Sequence, residues 1–271
     1  MGTSKPLNTI LLWVLTVVIT LGSVVYQRMT GPTYPVSGST EIDGQGISYR
    51  FLTSEDTGIA ARMEIYAPDQ EITGEVRWRR FRSYDKWTTE PLERLGDNLT
   101  FAIPSQPPAG KVMYQVSLTD KEGAQHELTS NPVIIRFKGA VPLFILIPHI
   151  LCMFVGMLFA TRSGLEAIAG RGNAFILALW TTILLTAGGL VLGPIVQKYA
   201  FGAFWTGWPF GHDLTDTKTA VAVIAWIVAL WRLKAGKGGR WAVVIAAIIT
   251  FAVYLIPHSA LGSELDYTNQ A

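Results

Sequence analysis

The sequence predicts a mixed fold: an all-β sandwich of about seven strands, inserted into an α-helical membrane bundle of about five spans. Three observations predict it. Charge is segregated, because residues 29–140 hold 12 of the 22 Lys and Arg and 15 of the 20 Asp and Glu, and the other 159 residues hold 10 and 5. Charged residues make up 15% of the 271-residue chain, against about 25% in a soluble domain. Uncharged apolar runs approach or reach the roughly 17–25 residues that cross a bilayer, while the charged stretch alternates with period two.

These numbers exclude a fully soluble enzyme and a disordered chain. The net charge of +2 divides into −3 on residues 29–140 and +5 on the remainder, so no basic field is present for nucleic acid. The single cysteine, Cys152, excludes an internal disulfide and a multi-cysteine metal site.

The first element, within residues 1–28, is the apolar run Asn8–Tyr26 behind Lys5. Its small-x-small cleavage pattern is poor, so an uncleaved signal anchor is expected. The segment 29–140 follows as an outer domain. Its candidate strands are Ile47–Leu52, Ala61–Tyr66, Glu75–Arg82, Asn98–Ile103, Lys111–Thr119, His126–Thr129 and Val133–Phe137. Val112, Tyr114, Val116 and Leu118 share one face of a strand, as do Val76 and Trp78 of another. A slip of phase at Arg80-Phe81 suggests a bulge. Asp120-Lys121-Glu122-Gly123 is a turn, and about seven short strands in about 100 residues suggest a sandwich.

Residues 141–271 supply four more apolar stretches: Val141–Thr161, Ala174–Val196, Thr219–Trp231 and Trp241–Pro257. The last two are short. Read this way the spans carry no Asp, Glu, Lys or Arg, which argues against an ion-driven pump. Gly188, Gly189 and Gly193 fit close helix packing. Basic residues concentrate in the loop holding Arg232, Lys234, Lys237 and Arg240, with Arg162 and Arg171 in another. The positive-inside rule puts those loops in the cytoplasm. With five spans, the N-terminus is then cytoplasmic, and the 29–140 domain and the C-terminal tail are extracytoplasmic.

Trp78 in a middle strand, the run Ala109–Val116 containing Tyr114, and the Asp120–Gly123 turn resemble an immunoglobulin-like or fibronectin-III-like domain. The resemblance covers roughly residues 35–138. It implies that Tyr114 is the corner tyrosine and Trp78 the core tryptophan, and that the domain binds or spaces rather than catalyses. In the membrane half, Gly193–Gly202 and Trp205-Thr206-Gly207-Trp208-Pro209-Phe210-Gly211-His212-Asp213 resemble a group of uncharacterised bacterial multi-pass membrane proteins. That resemblance implies a bacterial cytoplasmic (inner) membrane and supplies no activity.

No Walker loop, dinucleotide fingerprint or Ser/His/Asp set is assembled, so no catalytic residue is assigned. Histidine is the suggestive feature. His149 lies inside a span, His258 follows Pro257, and His212 sits in the loop 197–218. They could ligate haem, copper or zinc. Depth opposes joining the first two, since His149 lies about 12 Å below the outer end of its span. His126 reads as a solvated strand residue. Phe204, Trp205, Trp208 and Phe210 read as membrane-interface aromatics, with a lipid- or quinone-binding lip as the other reading. Asp213, Thr215 and Asp216 read as an N-cap group for the next helix, with a cation site shared with His212 as the other reading. Arg77, Arg79, Arg80 and Arg82 form a basic cluster that either pairs within the domain or docks an acidic partner or anionic headgroups. The function expected is an integral membrane interaction or scaffold protein that presents its sandwich to a membrane or extracytoplasmic protein partner, with no cofactor. The alternative is a redox or metal/haem protein using His149, His212 and His258.

Overall fold

The computed structural model describes residues 5–170, 174–236, 238–257 and 262–269. The chain divides into two compact units. A helical unit comprises Met1–Gly31, Val141–Tyr199 and Ala203–Gly262, and a β unit comprises Pro32–Ala140, Ala200–Gly202 and Ser263–Ala271.

The β unit holds eleven strands: β1 (Val36–Ile42), β2 (Gln45–Phe51), β3 (Ser54–Asp56), β4 (Ala61–Tyr66), β5 (Thr73–Arg80), β6 (Thr88–Pro91), β7 (Glu93–Leu95), β8 (Asn98–Ile103), β9 (Lys111–Thr119), β10 (Gln125–Glu127) and β11 (Val133–Lys138). One sheet runs β1-β2-β4-β8-β7 and the other β3-β11-β9-β5-β6, with β10 paired to β9. Among the described residues only the β3–β11 pairing is parallel. Alternation explains the shared core. Ala61, Met63 and Ile65 of β4 and Val112, Tyr114, Val116 and Leu118 of β9 all turn into one apolar cluster with Phe51, Phe101, Ile135 and Phe137. The Tyr114 ring stands 5.9 Å from each of Phe51 and Phe101. Its hydroxyl donates to the Leu52 carbonyl at 2.8 Å, so the buried oxygen is satisfied.

Two details depart from the sequence reading. The β5–β9 register runs unbroken from Thr73↔Thr119 to Arg80↔Val112. The phase slip at Arg80-Phe81 is therefore the end of the strand, where Arg82 takes a φ of 50°, and not a bulge. Trp78 is only partly buried against the core, and its indole N–H donates to Glu90 at 3.2 Å.

The helical unit contains α1 (Lys5–Thr30), α2 (Leu143–Ile168), α3 (Ala174–Leu185), a π-helical segment (Thr186–Leu192), α4 (Gly193–Phe201), α5 (Leu214–Lys234) and α6 (Gly239–Leu255). Among the described residues four stretches are long and apolar enough to cross a membrane: Thr9–Thr30, Leu143–Ile168, the continuous Ala174–Phe201, and Leu214–Lys234. Length and apolarity thus give four stretches where the sequence predicts five spans. The fifth helix, Gly239–Leu255, has 17 residues, about 25 Å at 1.5 Å per residue. It begins after Gly238, which has a φ of 65°, and Pro257 stands two residues beyond its end.

A second correction concerns charge. α2 continues seven residues past Thr161, and α5 starts five residues before Thr219. Both extensions carry ionisable side chains into helices that read as charge-free. Arg162, Glu166, Asp216 and Lys218 are all buried.

Candidate functional site

The four arginines after Val76 do not form one patch. On β5 the alternation sends Arg77 and Arg79 to the face opposite Val76 and Trp78. Arg77 reaches Gln115 at 3.4 Å and Glu127 at 3.5 Å, and its side chain is 43% exposed. Arg79 lies 5.0 Å over the Trp87 ring and contacts Met113 Sδ at 3.2 Å. Arg80, at the strand end, grips Asp85 with Nε and Nη2 at 2.7 and 2.8 Å. That hydrogen bond holds the Asp85 carboxyl below its ordinary range and raises Arg80.

Arg80 and Arg82 are also engaged by the segment that follows α6. Glu264 bridges Arg82 Nη1 at 2.7 Å and Lys111 Nζ at 2.5 Å. The backbone N–H of Leu265 donates to Ala109 O at 3.1 Å, and that of Tyr267 to Arg82 O at 3.0 Å. The Tyr267 ring is buried. Arg80 Cζ lies 4.6 Å from its centroid, and its hydroxyl reaches Gln106 Oε1 at 3.1 Å. Burial raises the Tyr267 phenol. Burial also lowers Lys111, with the Glu264 hydrogen bond acting in opposition. An acidic, aromatic stretch of the chain's own sequence thus fills the end of the basic strand. The signal was readable as Glu264-Leu265-Asp266-Tyr267 opposite an arginine cluster, but no periodicity points across 180 residues of sequence.

In the helical unit, His149 faces the π-helical segment. Its Nδ1 lies 2.8 Å from the Gly188 carbonyl, which also accepts the Gly193 N–H. A carbonyl only accepts, so Nδ1 carries the proton, and the neutral ring keeps its lone pair on Nε2. The glycines make this approach possible. A Cβ on Gly188 would stand 2.7 Å from Cys152 Cβ, and one on Gly189 2.4 Å from Thr219 Cγ2. His212 is exposed in the loop before α5, and His258 lies outside the described residues. No group of three or more His, Cys, Asp or Glu among the described residues is placed to hold a metal ion. His126 pairs with Asp120 through Nε2 at 2.8 Å, and that bond holds the Asp120 carboxyl below its ordinary range.

The loop between α4 and α5 is anchored from below. Asp213 caps α5, accepting the Thr215 N–H at 2.8 Å, as its position before the helix suggests. Asp216, buried in the first turn, accepts the N–H groups of Thr206 at 2.7 Å and Gly207 at 3.0 Å. Gln197 donates to Thr206 Oγ1 at 2.6 Å. Lys218 Nζ donates a hydrogen bond to the Ile256 carbonyl at 2.6 Å. On this base Phe204, Trp208 and Phe210 are exposed, and Trp205 donates its indole N–H to Trp208 O at 3.2 Å. Toward the other end of α2, Arg162 Nη1 bonds Glu166 Oε2 at 2.5 Å, and Arg162 Cζ lies 5.2 Å from the Trp13 ring centroid.

No family model matches the chain, and comparison with curated proteins finds no match.

Proposed function

We propose that this chain is an integral membrane interaction or scaffold protein. Its β unit, an immunoglobulin-like sandwich, meets a membrane or extracytoplasmic protein partner, and its helices hold that unit at a bacterial inner membrane. One observation carries the reading. The outward face of β5 presents Arg77, which meets Glu127 only at 3.5 Å, and Arg79, which meets a thioether and a ring rather than a carboxylate. They are free to exchange those contacts at little cost, since exposed pairs at such distances are worth about 0–1 kcal/mol.

Strand order supports the immunoglobulin-like assignment. β2-β4-β8-β7 opposite β11-β9-β5-β6 corresponds to the ABED and GFCC′ sheets of that class. β3, parallel to β11, adds a short edge strand. Tyr114 does not make the corner bond to the backbone just upstream of its strand. It bonds the carbonyl of Leu52, the residue just past the end of β2, instead.

The test is chemical cross-linking in native membranes. The intact chain gives a discrete adduct through the β unit, and Arg77→Ala with Arg79→Ala removes it. No adduct above background from the intact chain sinks the reading.

His149 supports a second reading, a haem, copper or zinc protein. A ring whose Nδ1–H is held by a carbonyl presents Nε2 in the tautomer a metal needs. The absorption spectrum and elemental content of protein purified in mild detergent test it. Stoichiometric metal or a Soret band, lost in His149→Ala, supports it, and a colourless, metal-free sample rules against it.

A further inference from the structure

The segment 262–269, irregular to Asp266 and turning into a short 3₁₀ helix at Tyr267–Asn269, is held as a bound peptide is held. Its N–H groups at alternate positions, Leu265 and Tyr267, donate to two separate pieces of the β unit, Ala109 in the approach to β9 and Arg82 in the turn after β5. Main-chain bonds at alternate residues give a groove affinity for any extended segment, and side-chain pockets give it selectivity. Here there are two such pockets. One is cationic, where Arg82 and Lys111 share the two oxygens of Glu264. The other is aromatic, walled by the Arg80 guanidinium, floored by Gly110, and closed by Gln106 on the phenol. Gly110 is required for that floor, since a Cβ there would fall 2.6 Å from the Tyr267 hydroxyl. The spacing between the pockets reads Glu-x-x-Tyr.

We propose that this groove is a recognition site for an acidic–aromatic peptide, Glu-x-x-Tyr in pattern, carried by an extracytoplasmic protein partner, and that the chain occupies its own site in cis. Charge complementarity picks the partner. Three cations, Arg80, Arg82 and Lys111, converge on a segment whose charged side chains, Glu264 and Asp266, are both acidic. Tethering makes the self-complex strong without strong contacts, because a short linker gives an effective concentration of roughly millimolar. A partner therefore binds only when its own segment outcompetes the tether or the tether is withdrawn. The proposal rests on the reading of the β unit as a partner-binding module. Its test needs no natural partner, so the two fail separately.

The test uses the full chain in detergent and a fluorescein-labelled synthetic peptide with the sequence of Gly262–Asn269, read by fluorescence anisotropy. Glu264→Ala with Tyr267→Ala in the chain vacates the groove. Leu265→Pro, which removes one main-chain donor, is a second way to vacate it should the first variant not fold. The vacated chain is expected to bind the peptide at least tenfold more tightly than the intact chain. Replacing the glutamate or the tyrosine of the peptide by alanine removes binding. Raising salt from about 0.05 to about 0.5 M weakens it, because the screening length contracts severalfold. Equal binding to intact and vacated chains, or none to either folded variant, overturns the proposal. A concentration-dependent dimer of the intact chain that still excludes peptide also overturns it, by assigning the groove to a second copy's segment.

Discussion

Arg162 and Glu166 stand one turn apart on α2, Nη1 to Oε2 at 2.5 Å, and each is at most 3% exposed. Arg162 Nε has no hydrogen-bond partner among the described residues, and its guanidinium carbon lies 5.2 Å from the Trp13 ring centroid on α1. The pair is therefore a buried junction between α1 and α2. Charges placed so are expensive unless each answers the other.

Removing one partner strands the other. Glu166→Gln leaves the arginine without its countercharge, and losses of about 3–5 kcal/mol are usual for a broken buried pair. The thermal midpoint in detergent should fall sharply. Arg162→Met with Glu166→Leu should recover most of that loss, since an apolar pair of similar volume restores packing. A Glu166→Gln variant as stable as the parent means that water reaches the pair.

The β unit should weaken in acid partly through Asp85. Its carboxyl is lowered from an ordinary 3.8, mainly by the Arg80 hydrogen bond. A depressed carboxyl stabilises the fold above its unfolded value and loses that contribution as pH falls through its folded value. Between those values the unfolded chain binds the extra proton. Stability should therefore be full above about pH 4 and decline below it. Asp85→Asn should lower stability at neutral pH and flatten the decline, read by chemical unfolding followed across pH. An unchanged slope refutes the assignment.

Gly207 is a packing hinge for the aromatic loop. An added Cβ would stand 2.5 Å from Asp216 Cβ and 2.9 Å from the Thr217 nitrogen, and the Asp216 carboxylate receives the N–H groups of Thr206 and Gly207. Gly207→Ala must push the loop off α5, at about 1–3 kcal/mol for overpacking of this kind. Limited proteolysis should cut within residues 202–212 faster in the variant. Equal cutting rates mean that the loop absorbs the methyl group.

The sequence was most legible where one face of an element is buried. Six of the seven strands expected from alternation contribute to the common core, and the seventh, His126–Thr129, is only the short β10 (Gln125–Glu127). The four unexpected strands, β1, β3, β6 and β7, stand at the ends of the two sheet orders. β6 is exposed along its whole length and β1 along most of it. An edge strand with little buried face has little period to read. Helix ends were misjudged for the opposite reason. Apolarity marks the middle of a span, while the end turns of α2 and α5 carry charged residues that are nonetheless helical and buried. Those turns hold the Arg162–Glu166 pair and the Asp216 anchor. The docking of Glu264 and Tyr267 joins residues more than 150 positions apart, beyond the reach of any local pattern.

Membrane topology gives the last prediction, and parity drives it. Residues 263–269 and 32–140 belong to one folded unit, so both are expected on one side of a bilayer that the helices cross. An even number of crossings must separate them. Leu143–Ile168, Ala174–Phe201 and Leu214–Lys234 are long and apolar enough for three, and the 17-residue α6, at the lower limit for a span, would be the fourth. Cysteine labelling in intact cells tests this. With Cys152→Ser as background, Lys121→Cys and Thr268→Cys should both react with an impermeant maleimide, and Lys234→Cys should react only after the membrane is opened. If Thr268→Cys is shielded and Lys121→Cys is not, α6 does not cross. The contacts of Glu264 and Tyr267 with the β unit could then not form in the membrane.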